Sequence, residues 1–134
     1  MMAVTLIGSG DLYPGAPYSY AALAAGTGLV FTAGACPLDE KGAVVAPGDI
    51  PLQMHMACRN LEISLAAAGC TIRDVLKTTV YVAAQERSAL IEAWRVVEEF
   101  FKEHPAPSTL LGVTFLGYQG QLVEIEAVAQ RPLV

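Results

Sequence analysis

Apolar residues in the first third of the chain come in short runs broken by glycine and proline. Val4 to Ile7 is such a β-branched run, and Gly8 to Pro17 reads as a loop. Ser19 to Ala25 and Leu29 to Ala33 read as two strands, and Gly26-Thr27-Gly28 between them marks a β-hairpin. Asp39-Glu40-Lys41-Gly42 is a turn, with Val44-Val45 a short strand after it. From Ile50 or Pro51 to Ala68 the spacing becomes helical, with Leu52, Met56, Asn60, Ile63 and Ala67 recurring every three or four residues. Asp49 is placed to cap that helix, Pro51 suits its first turn, and Gly69 suits its stop. Val75 to Val82, dense in β-branched and aromatic residues, predicts a central strand. A second helix is predicted over Arg87 to Glu103, with Leu90, Trp94, Val97 and Phe101 as its apolar stripe. Two strands, Thr109 to Phe115 and Gln121 to Ala129, close the chain around a Gly117 to Gly120 turn.

The last strand carries the most chemistry. Its period-2 alternation sets Glu124 and Glu126 on one face and Val123, Ile125, Ala127 and Ala129 on the other. Charges buried without partners would cost several kcal/mol each, so this face meets solvent, a cation or a working cleft. A solvated acidic strand face and a functional carboxylate are both open on pattern alone. Two amphipathic helices cover one side of the sheet; the other side, equally rich in Val, Leu, Phe and Ala, then needs a partner subunit.

Composition strengthens that last point. The 134 residues suit one domain, yet 54 % are apolar and the mean hydropathy is +0.46, high for a domain with so much curved surface. Burial between copies accounts for the excess. A membrane does not, because Gly, Pro or charged residues interrupt every apolar run short of the ~20 residues a spanning helix needs, and the N-terminus has no basic stretch leading into an apolar core. The net charge of −5 and the scattered Lys and Arg residues disfavour nucleic acid. Cys36, Cys58 and Cys70 lack paired metal-ligand spacing, and His55 and His104 lie far apart, so no metal or cofactor is expected. Reduced, mostly core cysteines in a cytoplasm are expected, with Cys36 the one best placed to line a site.

Several segments together resemble the Rid family (YjgF/YER057c/UK114). They are Ala16-Pro17-Tyr18-Ser19, Phe31-Thr32-Ala33-Gly34, Gln53 and Asn60-Leu61, Ala68-Gly69 leading into Asp74 to Val82, Pro105-Ala106 with Ser108-Thr109, and Val123 to Ala129. The resemblance covers nearly the whole chain. It implies a single α+β domain of the chorismate-mutase-like (YjgF/L-PSP) type, a mixed sheet with two helices on one face. It also implies a homotrimer with small-molecule clefts between neighbouring subunits. In the deaminase branch an arginine grips the substrate carboxylate, a two-pronged contact suited to that group; the matching position here is Pro107. The family's serine, glutamine and helix asparagine are replaced by Ala33, Ala35 and Trp94. What remains is Tyr18, Glu124 and the backbone of Gly34 and Thr109.

The resemblance makes Glu124 the candidate catalytic residue, an acid or base handling water or a proton. The pocket candidates are Tyr18, Ala33, Gly34, Trp94, Pro107 and Thr109. Each also has a plainer reading: Tyr18 as a packing lid, Gly34 as a bulge, Thr109 as a turn residue and Trp94 as core or interface. Glu126 is expected to lie near the first helix or to meet a cation at the subunit boundary. His55 is expected to be packed or solvated and not a base. Three functions follow: a Rid-like enzyme acting at an imine, enamine or carbonyl carbon without standard 2-imino acid specificity; a non-catalytic small-metabolite binder; and, least favoured by the acidic charge, an endoribonuclease.

Overall fold

Gly26 and Gly28 both take positive φ, 84° and 73°, which lets the chain reverse tightly between two of its strands. In the computed structural model, which describes residues 3–133, these are β2 (Ala21–Ala24) and β3 (Leu29–Thr32), paired antiparallel as the hairpin pattern predicts. The remaining elements are β1 (Val4–Ile7), α1 (Ile50–Ala67), a 3₁₀ turn (Ile72–Asp74), β4 (Val75–Ala83), α2 (Arg87–Phe100), β5 (Ser108–Val113) and β6 (Val123–Gln130). The six strands form one sheet in the order β1-β2-β3-β6-β4-β5, parallel only between β4 and β5. The predicted strands after α2 are therefore not neighbours: β4 lies between β5 and β6. The expected short strand at Val44 is a single bridge to Leu38.

Both helices lie on one face of the sheet and pack on each other and on its strands. Asp49 accepts a hydrogen bond from the Leu52 amide at 3.0 Å, and Gly69 follows the helix end at φ 81°, so both punctuation signals hold. The buried face of α1 is not the predicted stripe. Met54, Ala57, Cys58, Leu61 and Leu65 face the core beside buried Gln53 and Ser64, while Leu52 is 56 % exposed and Met56, Asn60 and Ile63 border an open groove. In α2, Val97 and Phe101 are buried with Ala93 and Val96, whereas Leu90 and Trp94 lie at the margin of the core. No helix is long and apolar enough to cross a membrane.

Strand parity fixes what the other face presents. Val123, Ile125, Ala127 and Ala129 point to the helices and are buried. Between its pairings of Val75 with Ala129 and Lys77 with Val128, β4 carries the unpaired residue Leu76, a β-bulge. Beyond it Thr78, Val80 and Val82 face the core, so Lys77, Thr79 and Tyr81 share the open face with Glu124 and Glu126. Leu6, Ala22, Phe31, Val128 and Lys77 form one row across that face, and Leu6 and Phe31 are 70 % and 50 % exposed.

Candidate functional site

Glu124 sits where β6 leaves the Gly117 to Gly120 turn, and the position of that turn is fixed from α1. Buried Gln53 donates through Nε2 to the Gly120 carbonyl at 3.1 Å and accepts from the Leu122 amide at 2.8 Å. Opposite, Phe31 pairs with Val128, and pairing resumes at Ala35 with Ile125, one residue out of step. This irregularity lays Gly34 directly beneath the Glu124 side chain. A Cβ at Gly34 would overlap the carboxylate, so the glycine serves close approach.

One carboxylate oxygen of Glu124 is taken up by the protein and the other is not. Oε1 accepts from Gln121 Nε2 at 3.0 Å and from Cys36 Sγ at 3.4 Å. Oε2 receives no hydrogen bond among the described residues and lies against Gly34; since none of their buried side-chain oxygens lacks a partner, it keeps some contact with solvent. The single ion pair among the described residues, Lys102 with Glu99, lies at the end of α2, so Glu124 has no cationic partner among the described residues.

Beside Cys36 are aromatic hydroxyls. Tyr18 shares a hydrogen bond with Tyr118 at 3.3 Å and stacks edge-on against Tyr20, whose own hydroxyl donates to the Tyr13 carbonyl at 2.6 Å. Burial, then the hydrogen bond with Tyr118, holds the Tyr18 phenol protonated well above its ordinary range. Cys36 is pushed up to about 12, chiefly by burial and next by the adjacent Glu124 charge. It is a thiol donor at neutral pH and no nucleophile. Iodoacetamide at pH 8 is expected to leave Cys36 unmodified in the folded protein and to alkylate it after unfolding, a contrast mass spectrometry reads directly. Because the folded state holds this proton, the stabilisation it contributes is present below the ordinary thiol range, about pH 8.5, and is lost as the pH rises towards 12.

The candidates do not all meet. Tyr18, Ala33, Gly34 and Glu124 come together at one end of the sheet, with Ala33 donating its amide to the Tyr20 carbonyl at 2.9 Å. Thr109 pairs with Thr79, which pairs with Glu126, so it lies two strands from β6, about 10 Å sideways. Its hydroxyl accepts from Lys77 Nζ at 2.5 Å. Pro107 is exposed and accepts the Thr78 amide at 2.9 Å. Trp94 lies on the helix side of the sheet, lining a cavity of about 270 Å³ with Thr78, Phe101 and Pro105. Glu126 is not near α1: it faces the open side, where the Tyr81 hydroxyl donates to it at 2.5 Å, a bond that pushes the phenol up to about 12. His55 is exposed on α1. Among the described residues no three His, Cys, Asp or Glu side chains are grouped to hold a metal.

Gln121, Tyr118 and Gln53 carry site geometry that the sequence reading did not assign. Gln121 has a signal in retrospect, an amide three residues before a suspect carboxylate. A groove of about 830 Å³ beside α1 does not include Glu124, and the cavity behind Tyr18 and Cys36 is only about 20 Å³. Glu124 lines neither of them.

The family described as endoribonuclease L-PSP matches residues 9–131. A RutC family protein of Pyrococcus horikoshii is 35 % identical over 118 residues, covering 88 % of this chain and 90 % of its own. A protein of Salmonella typhimurium named 2-iminobutanoate/2-iminopropanoate deaminase is 32 % identical over 105 residues, covering 77 % and 80 %. The crystal structure of a YjgF/YER057c/UK114 family member from Mycobacterium tuberculosis superposes with a TM-score of 0.75 at 33 % identity, over 95 % of this chain and 98 % of that one.

Proposed function

This chain belongs to the endoribonuclease L-PSP family, the YjgF/YER057c/UK114 or Rid group, and from that premise we propose that it is a homotrimeric small-molecule enzyme using Glu124 to add water at an imine, enamine or carbonyl carbon. The observation that carries the reading is the divided carboxylate. Oε1 is held by Gln121 and Cys36, while Oε2 is left to the solvent side over a bare glycine. That is the arrangement a general base needs, one oxygen fixing the group and the other reaching the proton.

For an imine, the water oxygen bonds to carbon as its proton passes to Oε2. The C=N electron pair moves to nitrogen, which takes that proton from Glu124 and so restores the carboxylate. Glu124 then relays the carbinolamine's hydroxyl proton to nitrogen, the C–N bond breaks, and a carbonyl group and an amine result, ammonia where the nitrogen is unsubstituted. The deaminase name of the Salmonella relative supports chemistry of this kind. Pro107, with no side-chain donor, supports a substrate that lacks the carboxylate of 2-imino acids.

The site lies in a cleft between subunits. Glu124 needs further walls, and the row of Leu6, Ala22, Phe31 and Val128 supplies apolar surface for another copy to cover. The distance from Glu124 to Thr109 within one chain fits a cleft to which two copies contribute. A ribonuclease reading lacks a concentrated basic surface, with a net charge of −5.

Sedimentation at micromolar concentration is expected to give three times the 14.1 kDa of one chain, and a panel of neutral imines, enamines and carbonyl compounds is expected to contain a substrate. A monomer removes the shared cleft. A trimer that binds panel members without converting any is the non-catalytic binder, the second reading, which the loss of a substrate-gripping side chain at Pro107 favours.

A further inference from the structure

Gln121 is 4 % exposed, yet every polar atom of its side chain is used. Its Oε1 accepts the Tyr118 amide at 3.1 Å, and its Nε2 donates to the Val123 carbonyl and to Glu124 Oε1, both at 3.0 Å. The amide is thus fixed at two backbone points before it touches the carboxylate. An amide so held cannot turn, so the orientation of its second N–H is set by the fold. Cys36 approaches the same oxygen from the opposite strand connection, at the end of a segment tied to α1 by Asn60, which donates to the Cys36 and Leu38 carbonyls at 2.9 and 3.0 Å.

We infer that Gln121, seconded by the Cys36 thiol, is the positioning residue of this site: by occupying Oε1 it assigns the proton transfer to Oε2 and fixes the direction from which substrate must approach. The inference rests on Glu124 being the acid or base, and it adds which oxygen reacts and what selects it. Two donors converge on Oε1. A half-turn of the carboxylate only exchanges two equivalent oxygens, so whichever oxygen stands here is engaged and the other is left free, while swinging the group off this position gives up both hydrogen bonds, which is costly. The titratable groups beside this carboxylate are Cys36 and, across the β4–β6 pairing, Tyr81, with Tyr18 and Tyr118 beyond Cys36 and Glu126 two residues along the strand. Burial and hydrogen bonding push Cys36, Tyr18 and Tyr81 upward, so none of these three changes charge in the acid range.

The test is steady-state kinetics from pH 4 to 9 on the uncharged form of the cyclic imine 1-pyrroline, whose hydrolysis to 4-aminobutanal is followed by trapping the aldehyde, with the other panel imines beside it. The parent and four variants are measured, each variant read against the parent at the same pH. Gln121→Glu keeps the shape and the acceptor for the Tyr118 amide but faces Glu124 with a second carboxylate oxygen. At neutral pH its kcat is expected to fall about 10-fold, the scale of one hydrogen bond to a charged group, with KM moved less than 2-fold. Activity should recover towards acid pH, where a proton shared between the two carboxyls restores a donor. Cys36→Ala should lower kcat a few-fold and Cys36→Ser restore it, which keeps the inference testable where Gln121→Glu fails to fold. Parental kcat and pH profile in Gln121→Glu and Cys36→Ala overturn the inference while leaving Glu124 in place. Full activity in Glu124→Gln, or no turnover of any imine by the parent, overturns the reading beneath it and the inference with it.

Discussion

Glu124→Gln is expected to keep the fold and the assembly while lowering turnover of the true substrate about 100-fold or more, the usual scale for losing a positioned acid or base. The hydrogen bonds around the residue explain why the two effects separate. A glutamine carbonyl oxygen can stay where Oε1 lies, still accepting from Gln121 Nε2 and Cys36 Sγ. Its amide nitrogen then takes the place of Oε2 above Gly34, on the solvent side, so no buried donor loses its partner. Thermal unfolding should accordingly shift little. The new group neither accepts a proton from water nor returns one, so the chemical step loses its base while binding persists. Paired measurements of unfolding and of turnover decide the matter. Undiminished turnover would remove Glu124 from the mechanism and leave β6 with a merely solvated acidic face.

The second large effect concerns substrates that carry a carboxylate. Turnover of 2-imino acids is expected to be about 100-fold or more below that of arginine-bearing relatives, because a lost bidentate charged contact is worth a few kcal/mol when it is realised in the transition state. Pro107 sits at the start of β5, exposed, and its only polar contact is through its carbonyl, which accepts the Thr78 amide at 2.9 Å. Replacing the side chain leaves that carbonyl and the β4–β5 pairing intact. Pro107→Arg should therefore raise turnover of 2-imino acids while barely affecting neutral imines. Robust activity in the parent would mean that another cation grips the carboxylate, either Lys77 beside Thr109 or Arg59 or Arg95 from a neighbour.

The parts of this molecule that could be read in advance are those where one local rule dominates. Asp49, Pro51 and Gly69 mark the ends of α1 because capping and positive φ are local demands. Glu124 stood out because a period of two admits no other side for it once Val123 and Ile125 are core. The phase of α1 differs from the predicted stripe for a physical reason. The helix carries apolar residues on both faces: Met54, Leu61 and Leu65 are buried beside the small or polar Ala57, Cys58, Gln53 and Ser64, while Leu52 and Met56 look outward. Apolar spacing alone then fits two phases. The neighbour relations of β5 and β6 were hidden because adjacency in sequence does not reveal that the chain crosses over β4. Within the site, Tyr118 and Gln121 belong to a turn, where no period operates, and their contacts with Tyr18 and Glu124 bridge segments that only the closed fold brings together.

Leu76, the unpaired residue in β4, sets the alternation of everything that follows it. Val75 faces the core before it, and Lys77, Thr79 and Tyr81 face outward after it. In a strand of strict alternation Lys77 would share the side of Val75, placing an ammonium group and two hydroxyls among Met54, Leu61 and Ile125 and bringing Thr78, Val80 and Val82 outward. The bulge thus works like a frameshift in side-chain space. The 47 % exposed side chain of Leu76 is nearly free to vary, but its presence as a counted residue is not. Tolerance in this strand is consequently of two kinds: substitution at Leu76 preserves the molecule's two faces, and a change of length there exchanges them.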